Sequence, residues 1–185
     1  MIGYAFCGSF CTFANSYKAL SELVDKGYEV QPIMSENAFK TDTRFFSADE
    51  FSRLLSEKTG KPVIHTIADA EPFGKKRLDA LIISPCTGNT LAKLASGITD
   101  TAVTMAAKAH LRCDGKLLIA LASNDAMSQN LKNISALLTR KSVYFVPLSQ
   151  DDPKEKPHSL VADFSLITKA FSSMNEDKQL RPLFI

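Results

Sequence analysis

Four clusters of small polar residues each follow an aliphatic run. Gly8-Ser9-Phe10-Cys11-Thr12 follows the run that starts at Ile2, and Ser35-Glu36-Asn37 follows Tyr28–Met34. Pro85–Thr90 follows Leu78–Ser84, and Ser123-Asn124-Asp125 follows Lys116–Ala122. Hydroxyls, amides and backbone N–H groups suit an oxyanion such as the phosphate of a mononucleotide or a flavin. Gly8 lets the chain turn tightly, Gly88 lets backbone approach a ligand closely, and a helix starting just after Gly8 adds exposed N–H groups of the same kind. Capping one helix takes one polar residue. The third cluster offers Thr87, Asn89 and Thr90, and the surplus points to a ligand. Each cluster alone also reads as an ordinary strand-to-helix turn, with Ser9 or Thr12 and Ser35 as N-caps and Phe39 in the core. The first cluster is not G-x-G-x-x-G, so the dinucleotide fingerprint is lacking, and Glu36 carries little weight as a ribose-binding acid without it.

The segments between these clusters predict what positions them. Phe13, Tyr17, Leu20 and Val24 recur at helical spacing, and Gly27 closes that helix. Tyr28–Met34 reads as the second strand, Asp49–Lys58 as a helix, and Pro62–Ile67 as a short strand. Asp79–Ser84 reads as a fully buried strand. Helices over Thr90–Ser96 and Thr101–Leu111 follow, then a strand over Lys116–Ala122, a helix over Gln129–Thr139 and a strand over Ser142–Leu148. Ser159 is placed as the cap of a last helix carrying Leu160, Val161, Phe164, Ile167 and Phe171. Continuous aliphatic strands alternating with helices predict a doubly wound α/β fold, a parallel sheet of five or six strands covered on both faces. Such sheets bind ligands beyond the carboxyl ends of their strands, where all four polar clusters fall.

Composition narrows the class. A chain of 185 residues predicts one domain over 1–185, with a polar loop around 149–158 and a C-terminal helix. Net charge is +2, and Lys75-Lys76-Arg77 is the only tight basic run, which argues against nucleic acid. No stretch approaches the roughly 20 apolar residues of a membrane span. Met1–Phe6 lacks the charged start of a signal peptide. Cys7, Cys11, Cys86 and Cys113 are scattered without zinc spacing, so no metal is expected. The expectation is a cytoplasmic protein with reduced thiols.

The stretch "SPCTGNTLAKLASGITD", Ser84–Asp100, is similar to the P-A-S/T-A-N-T segment of the flavin-dependent cysteine decarboxylase superfamily, the small flavoproteins. "GSFCTFANSYKALSELVDKGYEVQPIMSENAF", Gly8–Phe39, resembles the opening strand–helix–strand of that superfamily. Stretches around Thr66–Arg112, Ala122–Asn133 and Lys141–Phe164 resemble its dipicolinate-forming branch, and the "SQDDPKEKPHS" region is the most specific of them. The resemblance implies a Rossmann-like fold with an FMN site. It implies a role in oxidising dihydrodipicolinate, a dicarboxylate, to the aromatic product in the mother cell of a sporulating bacterium. It also implies a different partner polypeptide, the A subunit of the same enzyme, carrying a nicotinamide cofactor (NADP), and assembly into homo-oligomers. Carried over by position, Gly8, Ser9 and Ser35 fall on the phosphate side, and Phe39 joins the cofactor-binding residues. Pro85, Thr87, Asn89 and Thr90 fall on the isoalloxazine side, with Ser123 and Asn124 bordering the ring or the substrate.

The superfamily's decarboxylases place a base histidine shortly before the buried strand. His65 stands farther from Pro85 than that spacing, so it is read as structural, and decarboxylation becomes the alternative activity, beside a non-catalytic partner of the same fold. His110 and His158 read as surface residues. Cys86 reads as a small apolar space-filler. A dianionic substrate needs cations, for which Arg44, Lys108 and Arg112 are candidates, with Arg44 and Arg112 preferred for two-pronged contact. The catalytic residues themselves are left unassigned.

Overall fold

The computed structural model describes all 185 residues. Five aliphatic runs make the parallel part of one seven-stranded sheet. They are β1 (Ile2–Phe6), β2 (Val30–Met34), β3 (Ala80–Thr87), β4 (Lys116–Ser123) and β5 (Val143–Phe145). β1 lies between β2 and β3, β3 pairs β4, and β5 pairs the first half of β4. Two short antiparallel strands, β6 (Leu148–Ser149) and β7 (Leu160–Ala162), finish the sheet. β7 pairs the last residues of β4 (Ala122↔Val161, Ser123↔Leu160), and β6 pairs β7. The chain therefore winds one way from β1 to β2 and the other way to β3. That switch opens a crevice beyond the carboxyl ends of β1 and β3.

The helices are α1 (Phe13–Asp25), α2 (Glu36–Lys40), α3 (Ala48–Thr59), α4 (Ile67–Ala70), α5 (Gly88–Ser96), α6 (Ala102–Leu111), α7 (Leu131–Leu138) and α8 (Ile167–Asn175). The strands are buried along nearly their whole length, which is why they read as unbroken apolar runs. They join the inward helix faces in one core of 51 buried residues. Gly27 closes α1 at φ +85, where a residue with a Cβ would be strained.

Two packing features hold the loops that matter. Phe6, Phe13, Phe46 and Phe51 form an edge-and-tilt aromatic cluster, with centroids 4.6 to 5.6 Å apart, that locks α1 and α3 under the β1–α1 loop. Ser16, buried on α1, donates to the Ser84 carbonyl at 2.5 Å, and the Tyr4 hydroxyl donates to the Ser16 carbonyl at 2.9 Å. Burial pushes the Tyr4 pKa up to about 12, so this hydroxyl keeps its proton and its bond.

The sheet has seven strands, two of them antiparallel, where five or six parallel ones are expected, and four segments also differ from the sequence expectation. Pro85 does not end β3: the strand runs on to Thr87, past a cis Ser84–Pro85 bond and a register shift between Ile83 and Cys86. Pro62–Ile67 is no strand. It contributes one bridge, Ile33↔Ile64, before Thr66 caps α4. Ser142–Leu148 splits, because β5 stops at Phe145 and Leu148 opens β6. Ser159 caps nothing. Leu160–Ala162 pairs with the end of β4 that short β5 leaves open, and Asp163 caps the turn that leads into α8.

Candidate functional site

A cleft of about 1010 Å³ lies beyond the carboxyl ends of β1, β3 and β4. Its lining comes from Gly8–Thr12, Thr87–Asn89 and Ala122–Asp125. Arg44 and Phe45 from the α2–α3 connection complete it, with Asp151, Lys156, Ser159 and Val161 from the β6–β7 connection and β7. A smaller groove of about 350 Å³ shares Gly8, Thr87 and Asn89 with it and continues past Ser35, Glu36, Asn37, Thr90, Lys93, Asp100 and Thr101. No hydrophobic residue lines that groove.

The β1–α1 loop presents backbone rather than side chains. Neither Ser9 nor Thr12 caps the helix, contrary to the expectation from their types. Thr12 instead turns its hydroxyl back onto the Ser9 carbonyl at 2.8 Å. The amides of Gly8, Phe10 and Cys11 consequently meet no acceptor within the chain. Free N–H groups at a helix start make an anion site.

At the head of α5 the three polar residues divide the work. Thr87 caps, accepting from the Thr90 amide at 3.2 Å, and its hydroxyl donates to Thr90 Oγ1 at 3.2 Å. Asn89 is left exposed on the rim of both the cleft and the groove. Ser35 likewise caps its own short helix, accepting from Ala38 N at 3.3 Å, while still lining the groove.

Beyond β4 the polar residues form a closed network. Ser123 Oγ donates to Asp125 Oδ1 at 2.5 Å, and Asn130 Nδ2 reaches both Asp125 oxygens at 2.9 Å. The Ser123 hydroxyl is the main influence holding the Asp125 carboxyl below its usual range, with Asn130 adding to it. Asp125 thereby accepts from both Ser123 and Asn130 and is fixed in place at the cleft. Asn130 is the partner that sequence reasoning missed. The signal available was its polar type, one residue ahead of the apolar start of α7.

Arg44 sits in a tight turn. Thr43 Oγ1 accepts from the amides of Phe45 and Phe46, at 3.2 and 3.3 Å, and the Arg44 guanidinium lies 4.9 Å over the Phe45 ring. Across the β6–β7 connection, Lys156 Nζ pairs with Asp151 at 2.8 Å.

The structure thus gathers Gly8, Ser9, Ser35, Thr87, Asn89, Thr90, Ser123, Asn124 and Arg44 around two joined openings. It does not bring in the others. Pro85 is buried beneath, its carbonyl accepting from Cys7 N at 3.1 Å and tying β3 to the first loop. Phe39 stacks on His65, with centroids 3.7 Å apart, and lines neither opening. Arg112 follows α6 at the opposite end of the sheet, packed on Gly74, and Lys108 lines neither opening. His110 is buried, not on the surface, with Nε2 3.0 Å from the Lys116 carbonyl. The Cys7 and Cys86 thiols are buried too. Desolvation pushes Cys7 up to about 11 and Cys86 well above the ordinary thiol range, which suits space-filling and not nucleophilic attack.

The family described as Flavoprotein matches residues 1–171. The B subunit of dipicolinate synthase from Bacillus subtilis (strain 168) is 37% identical over 185 residues, covering 100% of this chain and 92% of that protein. The crystal structure of the dipicolinate synthase B subunit from Bacillus halodurans C superposes with a TM-score of 0.91 at 34% identity, covering 100% of this chain and 95% of that one. A more distant structure, AnUbiX in complex with FMN and dimethylallyl pyrophosphate, shares the fold, with a TM-score of 0.65 at 23% identity over 79% of this chain and 76% of that one.

Proposed function

Because the chain belongs to the Flavoprotein family and is similar from end to end to dipicolinate synthase B subunits, we propose that it binds FMN. On this reading it acts with a nicotinamide-binding (NADP) A subunit to oxidise dihydrodipicolinate to dipicolinate. The observation that carries the flavin half is the β1–α1 loop: the unsatisfied amides of Gly8, Phe10 and Cys11 face an opening of about 1010 Å³. That volume suits a mononucleotide-sized ligand. The residues fit the group. The three amides and Ser9 would hold the phosphate, with Ser35 nearby in the joined groove. Thr87, Asn89, Ser123 and Asn124 would border the ring. Bound FMN would supply a two-electron acceptor.

The chain's own contribution is placement. Removing a hydride and a proton from a dihydropyridine yields an aromatic product, so an oriented substrate matters more than a strong base. The network of Ser123, Asp125 and Asn130 fixes the floor beneath such a substrate, and Asn89 offers an amide to it. No histidine lines either opening, so nothing there matches the base of the decarboxylase branch.

The test is a flavin titration of the full-length chain, followed by visible absorbance and quenching of FMN fluorescence. The expected outcome is saturable binding of about one FMN per chain, with a yellow protein recovered after gel filtration. A colourless protein that leaves FMN fluorescence unchanged overturns the flavin half. Adding the A subunit, NADP and dihydrodipicolinate then tests the reaction, with dipicolinate formation requiring both polypeptides.

A further inference from the structure

Only two cationic side chains line the large cleft, Arg44 and Lys156, and they come from different loops. Neither Arg112 nor Lys108 is near enough to join them. Lys156 is held in an unusual way. Its partner, Asp151, also lines the cleft, so the chain seats one of its own carboxylates on the ammonium at 2.8 Å. The loop that carries the pair is braced from within. Lys156 N donates to the Asp152 carbonyl at 2.8 Å, Gln150 Nε2 to the Pro157 carbonyl at 3.1 Å, and Met127 N to the His158 carbonyl at 2.9 Å. The last bond ties the loop to the segment just after Asp125. It is a built wall of the cleft, and the ion pair sits at a fixed place in it.

We infer that Lys156 is the residue that selects a dicarboxylate, gripping the second carboxylate of the substrate after displacing Asp151, while Arg44 takes the first. The inference rests on the dicarboxylate substrate proposed above and names the residues that recognise it. The chemistry is an exchange of like for like. A carboxylate already satisfies Lys156, and an incoming one makes the same charge-assisted bond. Asp151 remains an anion beside it, and its repulsion opposes entry. Removing either member of the pair therefore has opposite effects. Loss of the ammonium weakens binding of a dianion, and loss of the Asp151 charge strengthens it. A pair that merely stiffened the loop would respond to both losses in the same direction.

The experiment is calorimetric titration of the full-length chain, with and without FMN, using pyridine-2,6-dicarboxylate and pyridine-2-carboxylate as probes. The wild type is expected to prefer the dicarboxylate by about tenfold, the worth of one charge-assisted contact. Lys156→Met abolishes that preference and Lys156→Arg keeps it. Asp151→Asn tightens the dicarboxylate several-fold and leaves the monocarboxylate nearly unchanged. Both side chains are solvent-accessible, so these variants keep the fold, and their thermal melts check it. The inference is overturned by a wild type without preference, by an unaltered preference in Lys156→Met, or by Asp151→Asn weakening binding as Lys156→Met does. FMN titration of the same samples separates the two readings. A chain that ignores FMN yet shows the opposed pattern loses the flavin proposal and keeps this one, and the reverse result does the opposite.

Discussion

A Cβ built on Gly88 would fall 2.4 Å from Ser123 Oγ, 2.6 Å from Asn130 Nδ2 and 2.7 Å from Asp125 Oδ1. All three atoms belong to short side chains already committed to one another, so none can retreat without breaking a hydrogen bond. Gly88→Ala is therefore expected to destabilise the protein by about 1–3 kcal/mol through overpacking. At this chain length that lowers the thermal midpoint by roughly 2–12 °C. A melting curve checks it, and an unchanged midpoint would show slack in the network. The sequence already marks Gly88 as a place of close approach, because glycine between Thr87 and Asn89 at a strand end has few other uses. What approaches it is another matter. The occupant in the structure is the chain's own triad from β4 and the head of α7, and Asn130 lies on a different element, far along the sequence. A strand-end pattern records which residues are polar. It does not record which of them satisfy each other.

At the scale of elements, α6 meets β4 through a buried histidine. His110 stands in the last turn of α6, its ring filling the space over Gly115, where any Cβ would fall 2.3 Å from the imidazole. Desolvation lowers its pKa below the ordinary 6.5, outweighing the Lys116 carbonyl, which favours the charged form. The folded chain thus prefers neutral His110. Its contribution to stability is fully present above the unfolded pKa and is lost as pH falls through the lower, folded one. Thermal midpoints measured from about pH 7 down to about pH 5 should fall, and His110→Gln should flatten that slope. An identical slope in the variant would place the acid sensitivity elsewhere. From sequence this histidine reads as a surface residue, since it sits beside Lys108 and Arg112 at a cationic helix end. The turn Arg112–Gly115 folds back and buries it. Elements with strong periodicity or unbroken aliphatic runs, such as α1, α3, β1 and β4, are legible within a residue or two. Apart from the far end of β3, the misread elements are short. Their pairing depends on what the long strands leave open, and β7 is a strand because β5 ends at Phe145 and leaves the β5 side of Ala122 and Ser123 open.

For the whole molecule the same shortage of partners shapes the outer edge of the sheet. β5 is three residues long and pairs β4 on one side only. On its other side Phe145 donates its amide to Gln179 Oε1 at 2.9 Å, and Gln179 Nε2 returns a bond to the Phe145 carbonyl at 2.7 Å. One side-chain amide thus stands in for a strand. The following residues continue the cover, with Leu148 N donating to the Leu183 carbonyl at 2.8 Å and Ile185 N to the Leu148 carbonyl at 2.9 Å. An uncovered edge is a template for pairing with another chain. A chain cut after Lys178 loses both devices and exposes the edges of β5 and β6 together. It is expected to aggregate on warming, read as light scattering that rises below the unfolding transition. Gln179→Ala keeps the backbone cover over β6 and loses the two bonds at Phe145, together with the bond from Gln179 Nε2 to the Leu180 carbonyl. The expected cost is about 1–3 kcal/mol, because the Phe145 amide and carbonyl are left without a partner. Its melt should shift without early scattering. Were the cut chain to melt cleanly at the wild-type midpoint, the tail would be a passenger, and the order of the sheet's outer edge would have to come from β4 and β7 alone.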